Sequence, residues 1–282
     1  MASVEKVWIY LSFGCIFLLP EIASSEPFTL PQAELQINRL FTRVSLLQDD
    51  PDKNRLADSI SLLMRQTLSL TGSFDYPFNG IGNMGKIQSQ DGKIRIYTWN
   101  MPWADGTNTY YGFLQFKAED KNDIRLLELK DQHVMITAPE QNILTPGQWY
   151  GMLIYEIVEK KFNNHIYYTL LGYDNENPFL SRKIVDVLYF NDNHEPLFGK
   201  DIFHYRGTLL CRILFEYSAK VQMSLKWNDK LKMIVFDHLS PSRPSFTGNY
   251  QYYGPDFSYD GLRFENGIWE LVEDVDVRNL NE

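Results

Sequence analysis

Apolar positions between residues 33 and 67 recur at helical spacing in two separate stripes. Ala33, Ile37, Leu40, Phe41, Val44 and Leu47 repeat with the 3.6-residue period. Thr29 and Gln32 have the spacing of a capping box, and Pro31 suits a first helical turn, so a helix is predicted to start there. Asp50-Pro51 reads as an N-cap followed by proline. Leu56, Ile60, Leu63, Met64 and Thr67 give the second stripe, which runs towards Gly72. The pair predicts a helical hairpin whose stripes must be buried on each other or on a neighbouring sheet.

From Gly85 the pattern changes to short β-branched and aromatic runs separated by Gly, Asn, Asp and Pro, the texture of hairpin-connected antiparallel strands. Strands are predicted over 93–99, 109–117, 123–129, 149–161, 165–173, 184–190, 208–217, 221–227, 231–237, 262–265 and 268–272. Asp91-Gly92 and Asn266-Gly267 supply the positive φ of type I′ turns, and Asn163-Asn164 and Asn228-Asp229 can do the same. Over 149–161 both faces are apolar, with Trp149, Leu153, Tyr155 and Ile157 on one and Tyr150, Met152, Ile154 and Val158 on the other. Such a strand is covered twice. The predicted fold class is α+β and mainly β: a large antiparallel sheet or β-sandwich, with an N-terminal helical hairpin on one outer face. The hairpin occupies 26–72 and the antiparallel β domain 73–282, packed as one unit. A propeller is the rival architecture, but no blade-length repeat with a shared signature is found.

Ahead of the hairpin, Lys6, the apolar run 7–19, Pro20 and the small residues Ala23, Ser24 and Ser25 have the order of a secretory signal peptide over 1–25. The run falls short of the roughly 20 residues that a membrane span needs. Cys15 after Gly14 has the place of a lipoprotein acceptor, but Ser12 and Phe13 fit that motif poorly. Without this segment the chain keeps one cysteine, Cys211, so no intramolecular disulfide is expected in the exported chain. With 27 Lys and Arg against 36 Asp and Glu, the 282 residues carry a formal charge of -9. No basic run interrupts that acidity, which argues against a nucleic-acid partner.

Strong catalytic signatures are absent: no Gly-x-Ser-x-Gly elbow, no His-Glu-x-x-His, no Walker or dinucleotide glycine loop, no EF-hand loop. His133, His165, His194, His204 and His238 lack ligand spacing, so neither a metal nor a cofactor is expected. Two strand carboxylates, Asp186 and Asp237, continue apolar faces and read either as catalytic groups of raised pKa or as acceptors for backbone N–H groups. His238 is predicted to face away from Asp237. The segment 248–261 reads as a loop by its Gly and Pro, yet carries five aromatics. Tyr250, Tyr252 and Tyr253, with Asp256 and Asp260, could form a platform for glycan or peptide, and Trp99 and Trp103 could wall the same groove. The alternative is that these rings plug the end of the core. The acidic tail from Glu270 to Asp276 reads as an edge strand with a charged outer side, and Cys211 as a buried small apolar residue.

The strand Asp91-Gly92-Lys93-Ile94-Arg95-Ile96-Tyr97-Thr98-Trp99 and the closing stretches 257–264 and 275–278, together with the signal, resemble exported Bacteroidota proteins of uncharacterised function. The resemblance implies a periplasmic or cell-envelope location and brings no assigned site. The function expected is a non-catalytic binding or scaffolding protein that holds a glycan or an envelope protein through its aromatic surface. A carboxylate-dependent hydrolase acting on an envelope polymer, with its acid and base among Asp186, Asp237, Asp256 and Asp260, is the alternative.

Overall fold

A computed structural model describes residues 28–118 and 123–277; the predicted signal, 1–25, lies outside them. Two helices come first, α1 (Leu30–Val44) and α2 (Asp50–Leu68). Gln32 accepts the Thr29 backbone N–H at 3.0 Å, the reciprocal half of the predicted capping box, and Pro31 lies in the first turn. The second helix starts one residue earlier than its sequence suggests, with Asp49 rather than Asp50 as N-cap and Pro51 still in the first turn. Four strands follow, β1 (Gly85–Gln88), β2 (Ile94–Pro102), β3 (Asn108–Lys117) and β4 (Ile124–Lys130), in an antiparallel sheet of that order, sheet I.

The chain then crosses through 131–149 with three single 3₁₀ turns, His133–Met135, Pro139–Gln141 and Pro146–Gln148. Strands β5 (Leu153–Phe162), β6 (His165–Asn177), β7 (Leu180–Phe190) and β8 (Pro196–Phe198) come next, then β9 (Phe203–Tyr205), β10 (Thr208–Leu210) and β11 (Ile213–Ser218). The last four are β12 (Leu225–Asn228), β13 (Met233–Pro241), β14 (Tyr253–Glu265) and β15 (Ile268–Val272). Sheet II has the order β11-β7-β6-β5, with β8 also on β7, and sheet III the order β10-β9-β15-β14-β13-β12. Asn163-Asn164 and Asn266-Gly267 both adopt two successive positive φ values, as type I′ hairpins require.

Side-chain alternation stacks these elements. On β2, Tyr97 and Trp99 meet Ile37, Phe41, Ile60 and Met64 of the hairpin, whereas Ile94 and Ile96 meet Leu170, Ile184 and Leu188 of sheet II. The other face of β7, Val185 and Val187, meets Phe236, Leu262 and Trp269 of sheet III. The result is a mainly-β α+β fold of three antiparallel-dominated sheets with the hairpin over one outer face. The double apolarity read at 149–161 belongs to sheet II, which is covered by a sheet on each side, although its first residues, among them the buried Trp149 and Tyr150, precede the strand itself.

Three predicted elements differ. The strand expected over 208–217 is two strands in different sheets, broken at Cys211 and Arg212, because Arg212 is wholly buried and reaches Asp186 of β7 at 3.1 Å. The loop expected over 248–261 is β14 from Tyr253 onwards. Pro255 is tolerated there because the half of β14 before Gly261 pairs only with β13, so one strand edge needs no donor. The strand over 268–272 is not an edge, since β9 pairs with it in parallel and caps it.

Asp186 also accepts the Val187 N–H at 2.7 Å, and Arg212 donates to the carbonyls of Pro139, Asn142 and Phe198, the last two at 2.9 and 3.3 Å. Gly199, with φ +81°, makes room: a Cβ there would sit 2.4 Å from the guanidinium. Removing one member of a buried ion pair leaves the other uncompensated, a loss of about 3–5 kcal/mol. Arg212→Met is therefore expected to destabilise the chain by about that amount in urea denaturation. Adding Asp186→Leu should recover only part of it, because three carbonyls remain without their donor.

Candidate functional site

Where the crossover 131–149 passes the end of sheet II, it forms one wall of a cleft of about 590 Å³. The floor is β11, which pairs only with β7 and presents Leu214, Phe215 and Glu216. Asp237, Leu239, Tyr250, Tyr253 and Asp260 of sheet III and its connection form the opposite wall, and Tyr205 and Arg206 close one side. Two larger openings, of about 650 and 730 Å³, lie between sheets I and II and beside α1. The first is lined by Asp123, Asp192, His165 and His194 with Lys93, Lys117 and Arg125 among them, and the second holds no carboxylate or histidine.

The polar centre starts at Asp131, immediately after β4. Its carboxylate accepts the backbone N–H groups of Tyr110 at 2.9 Å, His133 at 3.0 Å and Gly151 at 3.2 Å, and it holds His133 Nδ1 at 2.7 Å. Gly151 permits this approach, since a Cβ would lie 2.3 Å from the carboxyl carbon. His133 Nε2 faces Glu176 at 3.8 Å, and its ring lies edge-on to Tyr110 and Tyr150. Burial pushes the imidazole pKa down, but the Asp131 hydrogen bond and the charges of Asp131, Asp174 and Glu176 outweigh it, and the net shift is upward.

Arg182 of β7 is the hub of the next layer. It donates to Glu216 at 2.9 Å, to Asp174 at 3.1 Å and to Glu176, so three carboxylates share one guanidinium. Asp174, wholly buried, also accepts the Tyr110 hydroxyl at 2.8 Å; burial raises its pKa, against that hydrogen bond and Arg182. Glu140 on the crossover is raised by burial and by Glu216, with the Leu214 N–H opposing. Tyr150 is 3% exposed and its phenol is pushed up by burial, so it stays protonated. Its hydroxyl lines the cleft and has no hydrogen-bond partner among the described residues.

Four of the residues singled out from the sequence meet here: Asp237, Asp260, Tyr250 and Tyr253. Asp237 accepts the Ser224 N–H at 2.7 Å, the backbone-acceptor role foreseen for it. Asp260 holds His238 Nδ1 at 2.7 Å and the Asp274 N–H at 3.2 Å. Tyr250 and Tyr253 tilt together with ring centres 4.9 Å apart.

The others lie elsewhere. Asp186 is the partner of Arg212. Trp99 is buried beneath Phe41 of α1 and stacks on Tyr111, so the groove wall expected from it is part of the hairpin interface. Trp103 bonds Thr109 in the β2–β3 hairpin. Tyr252 stacks on Phe246 at 4.2 Å, and Asp256 binds Ser258 within its own turn. Asp131, Glu140, Glu176, Arg182 and Glu216 escaped the sequence reading, while His133 was weighed only as a metal ligand and Tyr150 only as an apolar strand position. The nearest signal was the Asp131-Gln132-His133 spacing, in which a carboxylate can turn back on the next-but-one residue.

Among the described residues no group of three or more His, Cys, Asp and Glu is arranged to hold a metal ion, and no helix is long and apolar enough to cross a membrane. Cys211 is buried and its thiol pKa is raised by burial. Compared with known proteins, the chain matches no family model, no curated protein and no solved structure.

A histidine whose pKa is raised in the folded state adds stability that is full below its unfolded value, about 6.5, and lost as pH rises through the folded value. The stability difference between the native chain and His133→Asn should therefore be largest in acid and shrink as the pH climbs past the folded value. Urea denaturation across pH 5–9, with an NMR titration of the imidazole, checks both sign and position; a difference that grows with pH would contradict the assignment.

Proposed function

We propose that the chain is an exported envelope protein that binds a glycan or peptide in this cleft without transforming it. The observation that carries the reading is the convergence of four tyrosines, Tyr150, Tyr205, Tyr250 and Tyr253, with a dense set of polar groups whose geometry is already locked. Rings supply large contact area at small entropic cost, and pre-bonded carboxylates need no rearrangement to receive a ligand. The signal-like segment supports an envelope location, and the acidic balance speaks against nucleic acid.

Tyr250 is 44% exposed at the mouth, whereas Tyr252 is turned onto Phe246. Tyr250→Ala is therefore expected to weaken binding by about three- to tenfold, the value of one aromatic contact, with the melting temperature nearly unchanged. Tyr252→Ala should leave affinity as it is. Titration with solubilised peptidoglycan fragments and with degenerate peptide pools tests this; equal losses from both variants would remove the cleft from the binding surface.

Glu140 and Glu216 favour a second reading, carboxylate-dependent hydrolysis. They share the cleft, and burial raises the pKa of the first while Arg182 bonds the second, the division of environment that separates an acid from a base. On that reading the protein releases reducing ends from peptidoglycan and Glu140→Gln stops it, a loss of at least a hundredfold. Absence of release by the unaltered protein eliminates hydrolysis of that polymer.

A further inference from the structure

Three features of the cleft narrow its ligand. The first is charge. Arg182 is already enclosed by Asp174, Glu176 and Glu216, and His133 lies between Asp131 and Glu176. Arg206 stands at the exposed rim over the Tyr205 ring, 5.2 Å from its centre. Glu140 and Asp237, on opposite walls, have no cationic side chain within ion-pair distance among the described residues. A bound cation would complete them.

The second is Tyr150, nine-tenths buried yet with a free hydroxyl at the cleft surface, beside Arg182 and His133. The hydroxyl is not one of the fully buried polar atoms left without a partner, so it is open to the cleft and positioned to bond whatever enters. The third is β11. Its second edge carries no strand, but the Leu214 N–H is met there by the Glu140 carboxylate and the turn 250–252 packs against it, so the side chains of Leu214 and Glu216 are what the floor offers to a ligand. Around the mouth, Val134 and Met135 are 80% and 77% exposed, an apolar rim continued by Tyr250. An acidic floor beneath an apolar rim suits a polypeptide with a basic side chain rather than a neutral saccharide.

We propose that the cleft receives a polypeptide segment, with one basic side chain entering between Glu140 and Asp237 to meet Tyr150. This rests on the reading of the cleft as a binding site and names its ligand class. The flanking residues of the segment would lie against Val134, Met135 and Tyr250.

The test uses two immobilised pools of heptapeptides, degenerate except for a central arginine in one and citrulline in the other. Citrulline keeps the shape and removes the charge. The arginine pool should retain the full chain at least tenfold more strongly. Glu140→Gln, which keeps an acceptor for the Leu214 N–H, and Asp237→Asn should bring the two pools close to equality. The comparison between pools is made with the unaltered protein and so stands even if a variant folds poorly.

Equal retention on both pools, lost in Tyr250→Ala, would overturn the basic side chain and keep the cleft as a peptide site. Binding of tetra-N-acetylchitotetraose alone, again dependent on Tyr250, would overturn the polypeptide and keep the binding reading. No retention on either pool and no binding of the saccharide would overturn both.

Discussion

The buried contact between Arg212 and Asp186 is where the architecture is tied together. An arginine with no solvent access must satisfy its donors inside the protein, and this one does so with a carboxylate on β7 and three carbonyls on two other segments. Two of those carbonyls belong to the crossover 131–149, which has little regular structure of its own. Leu144 and Phe198 exchange backbone hydrogen bonds at 2.7 and 2.8 Å, and Cys211 donates to the Glu140 carbonyl at 2.8 Å, so the same neighbourhood fixes the crossover from three directions. One guanidinium thus does for an irregular segment what a ladder does for a strand.

That constraint explains the position of the cleft. Arg212 stands at the point where the chain leaves sheet III at β10 and enters sheet II at β11. A strand that joins a sheet by such a step has one neighbour, and its other edge is covered or left open. Here the crossover, held by Arg212, stops short of full cover and leaves a gap above Leu214 and Glu216. The far wall comes from an irregularity in sheet III. The β13–β14 register shifts between Asp237 and Leu239, opposite Phe257, whose φ is +72°. Such a bulge bends the strand pair and re-aims the side chains beside it. Asp237, Leu239 and Asp260 flank that bend.

Local patterns were readable from the chain at most places where the physics is local, although Asp91 and the Asn228-Asp229 pair do not take the positive φ that a type I′ turn needs. The helical stripes, the capping box at Thr29 and Gln32, and the Asn163-Asn164 and Asn266-Gly267 turns each depend on residues within a few positions of one another. Double coverage of the middle sheet was readable too, because both faces of 149–161 are apolar. The number of sheets was not, since nothing local distinguishes a strand that continues from 208 to 217 from two strands that change layer at an arginine. Gly and Pro in 248–261 misled for a related reason: Pro255 sits where its strand lacks a second neighbour, a property of the sheet and not of the segment. Asp237, Asp260, Tyr250 and Tyr253 were legible as candidates because each was unusual in its own surroundings. Arg182 and Glu216 looked like ordinary strand charges, and only the pairing of β11 with β7 puts them opposite each other.

The balance of charge in the cleft follows from the same topology. Arg182 lies across from Glu216 in register and beside Asp174 across the β6–β7 pair, so sheet pairing alone brings two carboxylates to it before Glu176 adds a third. A surface that concentrates acid around one arginine is stable while each carboxylate has a donor, and most here do: Arg182, His133, His238 or a backbone N–H. Glu140 is the exception in degree. It is half-buried, close to Glu216 and supported mainly by one backbone N–H, which is why its proton is held above the usual carboxylate range. A group kept in that condition gains more from an arriving positive charge than any of its satisfied neighbours, because the incoming partner removes both the repulsion and the cost of burial. The part of the cleft least satisfied by the protein itself is therefore the part with most to gain from a ligand.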